Sequence, residues 1–167
     1  PNVDENASAV DNPNFKLVRA DILDESIEEI FKNEKADLLL HLAARAGVRP
    51  SIQDPELYHR VNVEGTLKLL EHCKTFGPKR VVFASSSSVY GNQKKIPFSE
   101  TDFTENPISP YAATKRAAEN ILYTYSKLFG FKVTCLRFFT VYGPAGRPDM
   151  APFLFTKSVN EGTTIKK

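Results

Sequence analysis

Three apolar runs, each followed by small or polar residues, constrain the fold of this chain more than any other feature of its sequence. They are ADLLLHLAA at 36–44, RVVFASSSS at 80–88 and KVTCLRFF at 132–139. Uninterrupted apolar runs are typical of strands buried on both faces of a parallel sheet. The segments 54–76 and 109–130 lie between these runs and show the apolar spacing of helices. This alternation predicts right-handed βαβ units and an α/β fold. A further strand is predicted at 15–19 and a further helix at 22–33.

The helix predicted at 109–130 has clear start and stop signals. Ser109 is a favourable N-cap, Pro110 suits the first helical position, and Gly130 suits the end. One buried stripe is predicted, formed by Ala118, Ile121, Leu122, Tyr125, Leu128 and Phe129. Tyr111 and Lys115 lie one turn apart on a shared face and outside that stripe. They are either an ordinary amphipathic pair at a helix start or a pair placed for chemistry.

Each apolar run leads into a stretch with chemically useful residues. These stretches are LAARAGVR, SSSSVYG and FFTVYGPAGRPD. Ligands of open α/β sheets bind beyond the carboxyl ends of the strands, where small residues permit close approach and polar residues supply hydrogen bonds. The sequence therefore predicts a pocket on that edge of the sheet.

The composition is that of an ordinary globular protein. Of the 167 residues, 41% are hydrophobic and 25% are charged, and the formal net charge is +2. This charge is too small to favour nucleic acid or a membrane surface as a partner. Cys73 and Cys135 lack metal-ligand spacing, so we expect reduced thiols, a cytoplasmic location and no metal site.

The Tyr-x-x-x-Lys pair, the serine run and the strand-end loops together resemble the extended short-chain dehydrogenase/reductase family, and within it the nucleotide-sugar epimerases and dehydratases. Ser86 stands 25 residues before Tyr111, as the pattern of that family requires. The resemblance implies NAD as cofactor and Ser86, Tyr111 and Lys115 as catalytic residues. An unperturbed tyrosine has a pKa of about 10 and is a poor base at neutral pH, but a neighbouring ammonium favours the phenolate.

The resemblance also implies a set of cofactor-binding positions. The adenine would contact Asp21 and Ile22, and the pyrophosphate and ribose would lie over the strand-end residues. Besides Tyr111 and Lys115, the implied cofactor-binding residues are Asp21, Ile22, Leu42, Ala43, Ala44, Asn62 and Phe138. For Asn62 an alternative stays open, namely a polar residue satisfied inside a helix.

The loops are similar to those of the UDP-glucuronate 4-epimerase subfamily. Ser87 and Ser88 stand where the related dehydratases place Asp-Glu and where the decarboxylases generally carry a Glu in this segment, which favours plain epimerisation. The resemblance implies that Ser86, Ser87 and Ser88 contact a UDP-sugar, and that Thr140 and Arg147 hold its carboxylate. UDP-glucose 4-epimerase, UDP-glucuronate decarboxylase and a non-catalytic member of the fold remain alternatives.

No Gly-x-x-Gly-x-x-Gly segment occurs in the sequence. In this family that segment joins the first strand to the first helix and binds the pyrophosphate. The expected fold is therefore an incomplete, doubly wound Rossmann-type domain over 1–167, without the N-terminal glycine-rich βα unit and the C-terminal substrate segments. We expect such a piece by itself to bind NAD weakly and to be inactive. The resemblance also implies a homodimer formed through helices 54–76 and 109–130.

Overall fold

The chain forms a three-stranded parallel sheet with helices on one face. The computed structural model describes residues 12–143 and 146–165. The strands are β1 (Leu39–His41), β2 (Arg80–Ser86) and β3 (Lys132–Phe138), in the spatial order β1-β2-β3. Both pairings are parallel, with Leu39 opposite Val81 and Ser86 opposite Phe138. The predicted α/β fold with a parallel sheet is confirmed.

The helices follow the predicted rhythm, with two that were not predicted, at Val48–Gln53 and Ala151–Asn160. They are α1 (Ile27–Asn33), α2 (Val48–Gln53), α3 (Pro55–His59), α4 (Gly65–Phe76), α5 (Pro110–Phe129) and α6 (Ala151–Asn160). A π-helical turn, Arg60–Glu64, joins α3 to α4, so that the predicted helix at 54–76 is present with a wider turn in its middle. The short helix α2 lies in a stretch that the sequence reading treated as a strand-end loop. None of the helices in the described ranges is long and apolar enough to cross a membrane.

The ends of α5 confirm the predicted caps. The Ser109 hydroxyl accepts a 3.1 Å hydrogen bond from the Ala112 N–H, and Gly130 ends the helix in the left-handed region at φ 72°. Lys115 is buried on the same side as Ala118, Leu122 and Tyr125. The prediction that Leu128 belongs to the buried stripe is wrong, since that side chain is 68% exposed.

The core lies between the sheet and the helices α4 and α5. Side chains from β2 pack against both helices, and Phe131 closes the end of the cluster. Its buried members are Leu70, Cys73, Val81, Phe83, Ala118, Leu122, Tyr125 and Phe131. Burial raises the pKa of the Cys73 thiol to about 12, so the thiol stays protonated at neutral pH.

The prediction that the strands are buried on both faces is wrong for the described residues. Leu40 is 59% exposed, and Phe138 is 43% exposed. Because strand side chains alternate between faces, these residues lie opposite the face that α4 and α5 cover. The apolar runs place hydrophobic side chains on a second face of the sheet as well, and no helix among the described residues covers that face.

The strand predicted at 15–19 is also absent. None of these residues belongs to a strand or a helix. A strand is stable only when its N–H and C=O groups pair with a neighbour, and β2 is the only strand paired with β1 among the described residues. Local sequence preference alone therefore does not produce a strand here.

Candidate active site

Ser86 ends β2 at the edge of the sheet where the sequence predicts a pocket. Its hydroxyl oxygen accepts a 3.2 Å hydrogen bond from the Ser88 N–H and thereby caps a 3₁₀ helix, Ser87–Tyr90. The serine run is therefore an ordered turn rather than an open loop. Ser86 is 8% exposed, whereas Ser87 and Ser88 are half-buried.

Two residues from the neighbouring segment hold Tyr111. The Tyr111 N–H donates a 3.1 Å hydrogen bond to the hydroxyl of Ser51, which itself donates to the Val48 carbonyl at 2.6 Å. The ring of Tyr58 meets the Tyr111 ring edge-on, with centroids 6.3 Å apart and planes at 87°. The Tyr58 hydroxyl donates to the Ala46 carbonyl at 2.7 Å. Sequence reasoning missed Ser51 and Tyr58, because only the packing of α2 and α3 against α5 brings them to Tyr111.

Lys115 connects α5 to β2. Its ammonium donates a 2.8 Å hydrogen bond to the Ala84 carbonyl and lies 4.7 Å from the centre of the Phe83 ring. The residue is 3% exposed, and this burial lowers the pKa of the ammonium to about 8. The interpretation that Lys115 lies outside the buried stripe is wrong. The methylene groups of Lys115 pack against the core, so this residue lies on the core-facing side of the helix although its ammonium is polar.

Asn62 is buried and fully hydrogen-bonded. Its side-chain oxygen accepts a 2.7 Å bond from the Arg45 N–H, and its amide nitrogen donates to the Arg45 carbonyl and the Thr114 hydroxyl, both at 3.0 Å. Thr114 in turn donates to the Tyr111 carbonyl at 2.9 Å. This geometry favours the alternative of a satisfied polar residue, one that ties the segment after β1 to the start of α5.

Some of the predicted cofactor residues come together beside β1, namely Ile22 from the adenine side and Leu42 and Ala43 from the segment predicted to lie under the pyrophosphate and ribose. Ile22, Leu42 and Ala43 line one apolar cavity of about 300 Å³, and Ala44 follows directly in the chain. A Cβ on Gly65 would lie 2.6 Å from Ile22 Cδ1, so a larger residue there would displace the end of the Ile22 side chain. The Asp21 carboxylate accepts a 2.9 Å hydrogen bond from the Leu23 N–H at the exposed start of this segment.

The predicted substrate residues are only partly brought together. Arg147 lines a cavity of about 270 Å³ with Tyr142 and Phe153. Its guanidinium pairs with both carboxylate oxygens of Asp149, at 3.0 and 2.5 Å. This pairing raises the pKa of Arg147, and charge interactions with the Tyr111 and Tyr58 phenols act in the same direction.

The other four predicted substrate residues, Ser86, Ser87, Ser88 and Thr140, do not line the Arg147 cavity. Thr140 is exposed beyond the end of β3, and Ser87 and Ser88 belong to the turn after β2. Phe138 lies on the uncovered face of the sheet. Pro144 and Ala145, within the predicted substrate loop, fall outside the described residues.

Comparisons with known proteins identify relatives of this chain. The UDP-glucuronate 4-epimerase 4 of Arabidopsis thaliana is 50% identical over 151 residues, which are 89% of this chain and 35% of that protein. The UDP-glucuronate 4-epimerase of Thermodesulfobacterium geofontis is 48% identical over 154 residues, 92% of this chain and 47% of that protein. The chain thus spans between a third and a half of the length of these relatives.

A solved structure shares the fold. The UDP-glucuronic acid 4-epimerase from Bacillus cereus, crystallised with UDP-glucuronic acid and NAD, superposes with a TM-score of 0.84 at 37% identity. The match covers 94% of this chain and 49% of that one. The sequence pattern of the NAD dependent epimerase/dehydratase family matches residues 2–167. This chain therefore belongs to the NAD dependent epimerase/dehydratase family.

Proposed function

We propose that the protein carrying this chain is an NAD-dependent epimerase that inverts C4 of UDP-glucuronate to give UDP-galacturonate. The observation that carries the proposal is the bond from Lys115 to the Ala84 carbonyl. This bond joins the helix that bears Tyr111 to the strand that ends at Ser86. The named activities of the Arabidopsis and Thermodesulfobacterium relatives support the same substrate.

NAD fits the residues at the end of β1. The cavity lined by Ile22, Leu42 and Ala43 is apolar and large enough to hold the face of an aromatic base. The exposed Asp21 carboxylate lies next to Ile22 in the chain and can accept a hydrogen bond from such a base. When bound, NAD supplies the acceptor that takes a hydride from C4 and returns it to the opposite face.

Residues of the chain accept and return the proton of the sugar 4-hydroxyl. The Tyr111 phenolate accepts the proton of the 4-hydroxyl as the C4 hydride leaves, and gives it back when the 4-keto sugar is reduced. The Ser86 hydroxyl, able both to donate and to accept, positions the reacting oxygen. The Lys115 ammonium stabilises the phenolate by its charge and holds the nicotinamide ribose. The hydride and the proton are both returned, so neither is lost overall.

The sugar carboxylate is assigned to Arg147 and Thr140. A guanidinium grips a carboxylate at two oxygens, and Arg147 holds Asp149 in that way. The absence of an acid at Ser87 and Ser88 favours epimerisation over the elimination and decarboxylation of related enzymes. UDP-glucose 4-epimerase and UDP-glucuronate decarboxylase are the alternative activities.

We further propose a homodimer that forms through the helical segments 54–76 and 109–130. Both segments present exposed apolar side chains on the side away from the sheet, among them Leu67 at 41% and Tyr123 at 64% exposure. Light scattering of wild type and a Tyr123→Glu variant tests this interface, because a buried carboxylate at a dimer interface would favour the monomer. The predicted cytoplasmic location stays a prediction.

The activity is tested on the full-length gene product supplied with UDP-glucuronate and NAD. We expect UDP-galacturonate to form in wild type, and the rate to fall by about 100-fold or more in Tyr111→Phe. Carbon dioxide together with a UDP-pentose would identify a decarboxylase instead. Turnover of UDP-glucose but not of UDP-glucuronate would contradict the proposed substrate.

A further inference from the structure

A buried carboxylate that the proposed chemistry does not use lies one turn beyond Lys115. Glu119 is 6% exposed, and both of its oxygens are occupied. One oxygen accepts from the Ser85 hydroxyl at 2.5 Å and from Arg137 Nε at 3.0 Å. The other accepts from Arg137 Nη2 and Arg116 Nη1, each at 3.0 Å. Burial disfavours the charged form, yet the bonds from Arg137 and Ser85 lower the pKa of Glu119 below its ordinary value, so the group is ionised.

This cluster joins several of the elements around the end of β2. Arg137 lies opposite Ser85 in the β2–β3 register. Its guanidinium also donates to the Tyr90 hydroxyl and the Glu100 carbonyl, both at 3.2 Å, and lies 4.9 Å from the centre of the Tyr90 ring. The Glu119 carboxylate thus connects α5 directly to Ser85 on β2 and to Arg137 on β3. Through Arg137 it is also connected to the 3₁₀ helix and to the loop that follows.

The helix α5 is attached to β2 at two successive strand residues. Lys115 bonds to the Ala84 carbonyl, and Glu119 bonds to the Ser85 hydroxyl. A single attachment would let the helix turn or slide about one point, whereas two attachments one turn apart fix both its rotation and its translation along the strand. Tyr111 lies one turn before Lys115 on the same side of the helix.

We propose that Glu119 is a positioning residue, which holds Ser85 and α5 in the register that brings Tyr111 to the Ser86 hydroxyl. The inference rests on the proposed function, because Tyr111 and Ser86 are the groups that it serves. A proton transfer requires its two oxygens to be within hydrogen-bond reach, so a displacement of about 1 Å is costly to turnover. Glu119 itself touches neither substrate nor cofactor in this arrangement.

The test compares two variants of the full-length gene product with wild type. Ser85→Ala removes the attachment while leaving the buried ion pair intact, and Glu119→Gln removes the charge at constant shape. We expect kcat to fall about 10-fold in the first and about 10- to 100-fold in the second, with KM for the sugar within about threefold of wild type. Rates are measured well below the melting temperature of each variant.

Arg116→Ala is the matched control. Arg116 is the most exposed donor to the same carboxylate, and its removal leaves the Ser85 and Arg137 bonds in place. We expect kcat within about twofold of wild type, because both oxygens of Glu119 keep a bond to Arg137 and the attachment to Ser85 is unchanged. A normal kcat in Ser85→Ala and Glu119→Gln, with only a lower melting temperature, would assign Glu119 a purely structural role and overturn the proposal.

Hydrogen exchange of residues 84–91 separates this inference from the proposed function. If wild type turns over no UDP-sugar, the proposed function fails, and exchange still reports on the attachment. Faster exchange of this segment in Ser85→Ala and Glu119→Gln, but not in Arg116→Ala, supports the positioning role. Equal exchange in all four proteins overturns it.

Discussion

The Nζ atom of Lys115 lies 2.8 Å from the carbonyl oxygen of Ala84, two residues before the end of β2. The ammonium is thus hydrogen-bonded to the backbone of β2, and Tyr111 lies one turn before Lys115 on α5. Because Ala84 precedes Ser86 by two residues, this bond, together with the bond between Glu119 and Ser85, fixes the helix that bears Tyr111 relative to the strand that ends at Ser86. It also requires that a charged group be kept in a buried site.

Replacing Lys115 by Met separates its chemical role from its structural one. Methionine keeps an unbranched apolar side chain in the core, while the buried charge, which is costly to desolvate, is removed together with its contacts to the Phe83 ring and the Ala84 carbonyl. We expect turnover to fall about 100-fold or more and the melting temperature to change by less than about 4 °C. Steady-state kinetics and calorimetry measure the two effects. A fully active Lys115→Met protein would rule out a catalytic ammonium.

The lowered pKa of Lys115 predicts opposite trends for activity and stability at alkaline pH. Burial lowers this pKa from 10.5 to about 8, so between these values the unfolded chain binds more protons than the folded one. The contribution of Lys115 to the free energy of unfolding therefore increases with pH across that window. The ammonium that supports the phenolate is lost over the same range, so kcat/KM should fall above pH 8. In Lys115→Met the stability increase should be absent, and its persistence would contradict the assignment.

The caps of α5 were predictable because they depend on local features, and the parallel sheet was predictable because apolar runs alternate with helical segments along the chain. Ser109, Pro110 and Gly130 act through their own backbone and side chains, so their effect is visible in the sequence. The exposure of Leu40 was not predictable, because an apolar strand residue carries no sign of which neighbour covers it. The absence of a strand at 15–19 has a similar cause, since strand formation depends on a partner elsewhere in the chain.

The site was predictable as a set of residue types but not as a set of contacts. The Tyr-x-x-x-Lys spacing pointed to Tyr111 and Lys115. Nothing in that spacing indicated that Ser51 would hold the Tyr111 N–H from sixty residues away. Likewise, the sequence alone does not distinguish an Asn62 that contacts a cofactor from one that is hydrogen-bonded within the protein. Its three bonds to Arg45 and Thr114 favour the structural role.

Asn62→Ala tests which of these two roles applies. The truncation leaves both backbone groups of Arg45 and the Thr114 hydroxyl without their partner, at an expected cost of about 2–4 kcal/mol in the free energy of unfolding. The dissociation constant for NAD, measured well below the melting temperature, should rise less than about threefold. Thr114→Val is the control for one of the lost bonds. A large loss of NAD affinity at unchanged stability would instead support direct contact with the cofactor.

The buried position of His41 leads us to expect that the folded protein loses stability in mild acid. Its Nε2 atom lies 2.9 Å from the Thr66 hydroxyl, whose own proton is donated to the Asn62 carbonyl, so Nε2 carries the hydrogen of the neutral ring. Burial, and then the charge of Lys115, lower the pKa of His41 from 6.5 to about 4. Between these values the unfolded chain binds more protons, so stability is lost as pH falls.

The titration of His41 is expected to lower the free energy of unfolding by about 2 kcal/mol between pH 7 and pH 5. Urea unfolding at the two pH values measures it in wild type and in His41→Gln. The glutamine amide can still donate to Thr66 but does not titrate, so the variant should lose less stability by that amount. Equal acid sensitivity in both proteins would show that His41 is not the group responsible.

The position of Arg147 leads to a prediction of how the proposed epimerase would distinguish sugars with and without a carboxylate. Its guanidinium is paired with both oxygens of Asp149 at an exposed site, so a substrate carboxylate can take the place of Asp149 at little cost. We expect Arg147→Gln to raise KM for UDP-glucuronate about 10- to 100-fold, as for the loss of a charged bidentate contact, and to leave KM for UDP-glucose within about threefold. Arg147→Lys should lie between, because it keeps the charge but not the planar fork. Asp149→Asn is the matched control: it releases the guanidinium, and KM for UDP-glucuronate should stay equal or fall. A parallel loss for both sugars in Arg147→Gln would place the carboxylate elsewhere in the site.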